Sequence, residues 1–441
     1  MKRFLDRLLP FGSFLYILQK EEYDASRYLK WLPRFFFRRN FPETEKVEYT
    51  PRARIIVALA ALMFLVALYL GFSAENFFEL IGAFLFIPVF MLFAHLLTAP
   101  LFFAAKLRLR QKAEVLVHSR KELRVVAIAG SYGKTTTKYF LYELARHAFK
   151  TQIIPENINT TTGIARWLTR KLESGTKLLI YETDAYAPGE ISATARMAPP
   201  DVAIITSVGD QHLERFGSLE SLARTLLELF QYAKEDAKLV LHEETVKRLP
   251  LHELALRARV LHGVPVEATP SAAGLSPSNQ KNLALALEAA KLLGVPERFI
   301  EDAVPHLAPP ERRQAPGIWH GYDIIDDSYN ISLSTADAGL TAARAFADAK
   351  GKKLLVVAAG IPELGPEDGQ GNRKLGALIA AKADSAAVLS SMFAPEILKG
   401  LANAPHRCYP RLANFIASAH ADYPPEEWVV LLQPALTDLY Y

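Results

Sequence analysis

Two long apolar stretches dominate the early chain. Ile55 to Ser73 contains no Asp, Glu, Lys or Arg, and Leu80 to Ala105 is free of them as well. Each is about as long as the roughly 20-residue helix that crosses a bilayer core. Only a few residues around Ala74-Glu75-Asn76 separate them, so the pattern predicts a helical hairpin. The first run begins too late and is too long for a cleaved signal peptide. Pro88 and Pro100 predict kinks in the second helix. Before the hairpin, Tyr28 to Phe41 mixes aromatic residues with Lys and Arg, a pattern suited to the headgroup layer of a membrane or to an ordinary packed segment.

From Leu123 onward the pattern changes to short apolar runs alternating with helical stretches. Leu123–Ala129, Leu178–Tyr181, Val202–Val208 and Leu239–His242 read as strands, and Lys134–Ala148 and Asn282–Leu293 as helices. A second series of strands follows at Asp323–Asp326, Leu354–Ala359, Ala386–Leu389 and Trp428–Leu432. Strands alternating with helices predict an α/β body with parallel sheets covered on both faces. Ala308-Pro309-Pro310 is the expected linker between two such domains. The expected organisation is a basic, partly interfacial segment at 1–53, a two-helix membrane hairpin at 54–106, a nucleotide-binding domain at 107–307 and a second α/β domain at 308–441.

Charge supports that layout. The net charge is +4, but residues 1–54 hold 12 Lys/Arg and 7 Asp/Glu, a local +5 that leaves −1 for the remainder. A working domain without net positive charge argues against nucleic-acid binding. Basic residues flank the hairpin on both outer sides, at Arg52 and Arg54 and at Lys106, Arg108, Arg110 and Lys112. The positive-inside rule then places both flanks and the body in the cytoplasm, on a two-pass protein of the cell membrane. The single cysteine, Cys408, excludes an intramolecular disulfide and a cysteine-based metal site.

The sharpest local chemistry is strand, glycine loop, helix. Gly130-Ser131-Tyr132-Gly133-Lys134-Thr135 follows an apolar strand and opens a helix. Such a loop turns backbone N–H groups toward phosphate oxygens, with a lysine to neutralise charge and a threonine hydroxyl for Mg²⁺. Ile128 stands where the longer phosphate loop has glycine, so this is a shortened form. Glu182, at the end of the next strand, is a candidate for the same Mg²⁺. His212, in Ser207-Val208-Gly209-Asp210-Gln211-His212-Leu213-Glu214, is a candidate metal-ligating imidazole, with a packed surface histidine as the plainer alternative. Asp326-Asp327-Ser328-Tyr329-Asn330 ends a strand of the second series and offers acids to ribose hydroxyls, or a simple Asx turn.

Taken together, these segments resemble the Mur ligases over roughly residues 123–441, most closely the branch that adds D-Ala-D-Ala to a muramoyl tripeptide. Gly130–Lys138 is similar to that branch's phosphate loop, Glu182–Ile191 to its E-x-G-A-x-x-P-G-E-I, and Ser207–Ser218 to its N-[IV]-G-x-x-H-L-E-x-F-G-S. Asn279 and Asn282 match an N-x-x-N pair, Asp326–Asn330 a D-D-S-Y-N and Glu363-Leu364-Gly365 an E-L-G. The resemblance implies a central ATPase domain with a phosphate loop and a Rossmann-like C-terminal ligase domain. It implies an ATP-dependent ligase of peptidoglycan synthesis that forms an acyl phosphate on a peptide carboxylate. An amine such as D-Ala-D-Ala then attacks. It assigns Lys134, Glu182 and His212 to catalysis, and Gly130, Ser131, Tyr132, Gly133, Lys134, Thr135, Thr136, Asn279, Asn282, Arg312 and Asp327 to ATP. Thr135, Glu182 and His212 go to Mg²⁺, and Asn157, Asn159, Thr160, Tyr329 and Asn330 to substrate.

Departures from the family pattern accompany the matches. Asp184 replaces a glycine two residues after Glu182. Leu226 stands where a carbamylated lysine supports a second Mg²⁺, and a leucine forms no carbamate. Ala359-Gly360-Ile361-Pro362 lacks the common G-D-M. The basic segment and hairpin occupy the place of the family's UDP-binding domain, which points to an acceptor presented at the membrane lipid surface. Three further readings stay open: a Mur-like ligase acting on a lipid-linked or poly-amino-acid acceptor, a membrane-anchored nucleotide-binding scaffold, and a generic ATPase or transporter.

Overall fold

The computed structural model describes residues 9–21, 23–37, 47–185, 187–209, 216–250, 261–264, 275–362 and 364–433. The chain divides near Arg108 into two compact units.

The first unit is helical: α1 (Phe11–Lys20), α2 (Ala25–Phe37), α3 (Pro51–Ser73), α4 (Phe77–Leu85) and the start of α5 (Ile87–His118). Thr50 caps α3 by accepting from the Ala53 N–H, and Pro51 occupies its first turn. The second apolar run, expected as one kinked helix, is two helices. Phe86 interrupts it, two residues before Pro88, which has no N–H to close the preceding turn. Pro100, by contrast, is accommodated inside α5. Phe14, Leu15, Ile56, Ala60, Ile87 and Met91 form a small core. Leu65, Tyr69, Phe72, Phe78, Phe93 and Phe103 are exposed instead. Both α3 and α5 are long and apolar enough to cross a membrane. The most apolar windows of these helices are 22% and 33% buried. The aromatic-basic segment is helical through Phe37, and residues 38–41 lie outside the described residues.

The second unit holds two six-stranded sheets. The first comprises β1 (Arg124–Ala129), β2 (Thr151–Ile153), β3 (Leu178–Glu182), β4 (Val202–Ile205), β5 (Lys238–His242) and β6 (Leu261–Val264). All are parallel, in the order β2-β3-β1-β4-β5-β6. One face is covered by α7 (Thr161–Lys171), α8 (Glu190–Met197) and α9 (Leu219–Gln231), the other by α6 (Lys134–Ala145) and α10 (Pro277–Leu292). Burial on both faces explains why these strands read as continuous apolar runs. β4 is three residues shorter than its apolar run because Thr206 to Val208 leave the sheet and wrap the neighbouring loop. α10 starts earlier than its apolar pattern, since Ser276 caps it and Pro277 opens it.

The second sheet comprises β7 (Ala315–Trp319), β8 (Tyr322–Asp326), β9 (Lys353–Ala358), β10 (Ser385–Leu389), β11 (His406–Tyr409) and β12 (Trp428–Leu432), ordered β11-β10-β9-β12-β8-β7. It is parallel except for β7, which runs antiparallel to β8 with Pro316 opposite Ile325. The helices α11 (Leu333–Ala349), α12 (Asp368–Lys382), α13 (Ala394–Leu401) and α14 (Leu412–Asp422) cover it. The connector into β7 holds Arg312 and Gln314 in the left-handed region, at φ 63° and 55°.

Candidate functional site

The phosphate loop sits at the topological switch point of the first sheet. β1 lies between β3 and β4, so its C-terminal end opens into the crevice where doubly wound sheets take ligands. Gly130 and Gly133 both have positive φ, at 136° and 83°. A Cβ at Gly130 would collide with the Thr206 hydroxyl, and one at Gly133 with the Asn282 amide. Only glycine satisfies both the backbone angle and the close approach. Ser131 and Tyr132 donate their N–H groups to the Ser207 carbonyl and hydroxyl, at 3.0 and 2.9 Å, which fixes the loop to the segment after β4. No side chain caps α6, so the first-turn N–H groups at Lys134, Thr135 and Thr136 face the crevice with the positive end of the helix dipole. Lys134 Nζ donates to the Gly130 carbonyl at 2.6 Å and stands 3.4 Å from Asp184.

The register pairs Ile128 with Glu182 across β1 and β3, which brings the carboxylate beside the loop. Glu182 is buried, and Thr135 donates its hydroxyl to it at 2.7 Å. Lys138, one turn beyond Lys134 on the same helix face, is buried as well. Its Nζ donates to the Ile154 carbonyl at 2.8 Å and lies 3.4 Å from Glu182. Burial lowers the Lys138 pKa, and the Glu182 charge opposes that. Thr135 and Glu182 thus present two hard oxygens close enough to share one cation, and phosphate oxygens and water can complete its shell. Among the described residues, no three His, Cys, Asp or Glu side chains converge on a metal-sized site. His212, with residues 210–215, lies outside the described residues, as does Glu363. Leu226, on the buried face of α9, packs in the core and offers no ligand.

The opposite wall comes from the second sheet. Asp327 follows β8 and is almost wholly enclosed; burial pushes its carboxyl up to about 7, with the Asp326 charge adding to the effect. Gln314 reaches it at 3.5 Å and also accepts from the Ser276 hydroxyl at 2.8 Å. Arg312 is engaged by its own loop, donating to the Ser328 hydroxyl and carbonyl at 2.9 and 2.8 Å. Asn279 bridges the two halves, donating to the Arg313 carbonyl and accepting from Asn282, each at 3.4 Å.

These groups line one cavity of about 590 Å³. It gathers Ser131 to Thr136, Glu182, Asn279, Asn282, Arg312 and Asp327, together with Asn159, Tyr329 and Asn330. Gly130 lies behind it, in the turn that fixes the loop. Asn157 and Thr160 are not among its lining residues; Thr160 caps α7 by accepting from the Gly163 N–H. Sequence reasoning passed over Lys138, Arg313, Glu156 and a cluster of His242, Glu244 and Arg248 in the same cavity or at its edge. Lys138 was legible from its four-residue spacing to Lys134; the others carry no local signal.

Comparison with known proteins gives residues 128–257 as a match to the Mur ligase middle domain. The chain is 33% identical over 117 residues to the UDP-N-acetylmuramoyl-tripeptide–D-alanyl-D-alanine ligase of Bacillus subtilis, covering 26% of this chain and 25% of that one. The enzyme of the same name from Mycobacterium tuberculosis is 29% identical over 250 residues, 50% of this chain and 48% of the relative. The chain therefore spans between about a quarter and a half of the length of the curated relatives it matches. Among solved structures, the MurF ligase of Thermotoga maritima in complex with ADP superimposes with a TM-score of 0.64 at 23% identity, covering 75% of this chain and 80% of that one. The Mur ligase fold expected for the α/β body is the fold observed.

Proposed function

We propose that this protein is a membrane-anchored, ATP-dependent amide ligase of peptidoglycan synthesis, requiring Mg²⁺. Residues 107–307 hold ATP and residues 308–441 complete the site. The single observation that carries this reading is the cavity in which the phosphate loop and Glu182 of one sheet face Asp327 and Tyr329 of the other. A simple ATPase needs no second α/β layer contributing to its nucleotide cleft. The names of the curated relatives support the reaction class, an acid–amino acid ligation with D-Ala-D-Ala as amine.

In this reading the acceptor carboxylate oxygen attacks the γ-phosphorus of ATP and ADP leaves. The amine then attacks the acyl carbon, phosphate departs and the amide forms with loss of a proton. Lys134 and the α6 N-terminus hold the phosphates, and Gly130 and Gly133 permit their approach. Thr135 and Glu182 are the residues that fit one Mg²⁺, which when bound neutralises phosphate charge. His212 is proposed as a further ligand. Lys138, 3.4 Å from Glu182, orients that carboxylate. Asn279, Asn282, Arg312 and Asp327 serve the nucleoside, while Asn159, Tyr329 and Asn330 face the acceptor. With Leu226 in the core, the site works with one Mg²⁺.

The hairpin at 54–106 is proposed to span the membrane twice, with the aromatic-basic α2 at the cytoplasmic interface. The outward apolar surfaces of α3 and α5 support this, and they favour an acceptor presented on a lipid carrier. The decisive assay uses full-length protein in lipid nanodiscs with ATP, D-Ala-D-Ala and either UDP-N-acetylmuramoyl-tripeptide or its lipid-linked counterpart. Phosphate release that requires both amine and acceptor, with a product mass higher by one dipeptide less water, is the expected result. ADP binding without any such release would leave the scaffold reading, which the Lys134–Asp184 pair favours.

A further inference from the structure

A ligase must hold a carboxylate beside the phosphoryl donor, against the repulsion of Glu182 and Asp184. That requires a cation with donors to offer. Lys134 and Lys138 are each engaged by a carboxylate and a backbone carbonyl. Arg312 is held by Ser328. Arg313 is different. Its carbonyl is anchored to Asn279, and its guanidinium lies 3.9 Å from the centre of the Tyr329 ring. Its ion pair with Glu156 is loose, at 3.8 Å, and its buried Nε has no hydrogen-bond partner among the described residues.

A planar guanidinium stacked on an aromatic ring is oriented before any ligand arrives, and its fork matches a carboxylate. We propose that Arg313 is the residue that clamps the acceptor carboxylate, with Glu156 holding the guanidinium in place until the acceptor displaces it. The inference rests on the ligase reading and deepens it: the acceptor is a carboxylate-bearing peptide, and Tyr329 is the platform that orients its clamp.

The test is calorimetric titration of the full-length, ADP-loaded protein with UDP-N-acetylmuramoyl-tripeptide and, separately, with its lipid-linked form in nanodiscs. Arg313→Leu is expected to weaken binding of the peptide probe roughly 10- to 100-fold while ADP affinity stays within about twofold. Arg313→Lys is expected to recover part of the loss, and Glu156→Gln to tighten the probe several-fold by removing the competing anion. A melting curve for each variant separates loss of the clamp from loss of fold; Arg313→Lys and Glu156→Gln change least and keep the test decisive if the leucine variant melts early. Equal probe affinity in wild type and Arg313→Leu overturns the clamp and leaves the ligase reading standing. Wild-type protein that binds ADP but neither peptide probe overturns the ligase reading, and the clamp with it.

Discussion

Two carboxylates face the same cavity from different sheets, and their surroundings are opposite. Glu182 ends β3 with a buried lysine 3.4 Å away and a threonine hydroxyl donating to it. Asp327 follows β8 with an amide as its nearest donor and another carboxylate next in sequence, and burial pushes its carboxyl up to about 7. Position at the C-terminal edge of a parallel sheet is therefore not enough to set a carboxylate's job. The neighbours decide whether it meets a cation and a donating hydroxyl, suited to phosphate and metal chemistry, or is enclosed with a raised pKa, suited to hydroxyl recognition.

The comparison can be broken most forcefully at Lys138. Replacing it with methionine leaves Glu182 buried without its counter-ion, and Lys138→Met should destabilise the protein by about 3–5 kcal/mol in denaturant titrations. Adding Glu182→Gln should restore much of that stability. If Lys138→Met alone melts like wild type, the Lys138–Glu182 contact does not support the fold. Next in size is Lys134→Ala, where phosphate release in the ligase assay should fall roughly 10²–10³-fold with little change in melting temperature. Turnover at the wild-type rate would remove the phosphate loop from the mechanism.

The other half of the comparison is sharpened by pH. The Asp327 carboxyl has its pKa raised in the folded state, so its contribution to stability is complete below about pH 4 and is lost as pH rises toward 7. Stability should fall by on the order of 2 kcal/mol between pH 5 and pH 7 on this account, and Asp327→Asn should flatten that fall. Parallel melting profiles for the two proteins would show that another group titrates. The smallest effect is expected at Thr160→Ala, which removes the α7 cap and touches neither carboxylate's hydrogen bonds. It should cost about 1 kcal/mol of stability and leave ADP affinity unchanged.

Much of the fold was legible, and what was missed has a common cause. β1, β3, β4, β5, β9, β10 and β12 are interior strands with continuous apolar runs, and β8, next to an edge, carries a clear one too. β2, β6, β7 and β11 went unread, and each is an edge strand. An edge strand is short, polar or interrupted because one side of it meets solvent. β11 is His406-Arg407-Cys408-Tyr409, and β7 contains Pro316-Gly317. In the site, the phosphate loop was legible because its geometry is local: glycines, strand before, helix after. The Arg313–Glu156–Tyr329 arrangement was not, since it joins residues 156, 313 and 329 through the packing of two sheets. Adjacent arginines give no hint of which one will turn back to its own loop.

Pro316 has a meaning beyond pairing with Ile325. A proline supplies no N–H, so the rim of the second sheet presents an interrupted row of donors to any passing chain. With the hairpin spanning a membrane as proposed, copies would move in two dimensions and meet far more often than in bulk solution. An uninterrupted outer strand would invite sheet-to-sheet joining under such crowding. One imino acid at that rim favours solitary copies over runaway association.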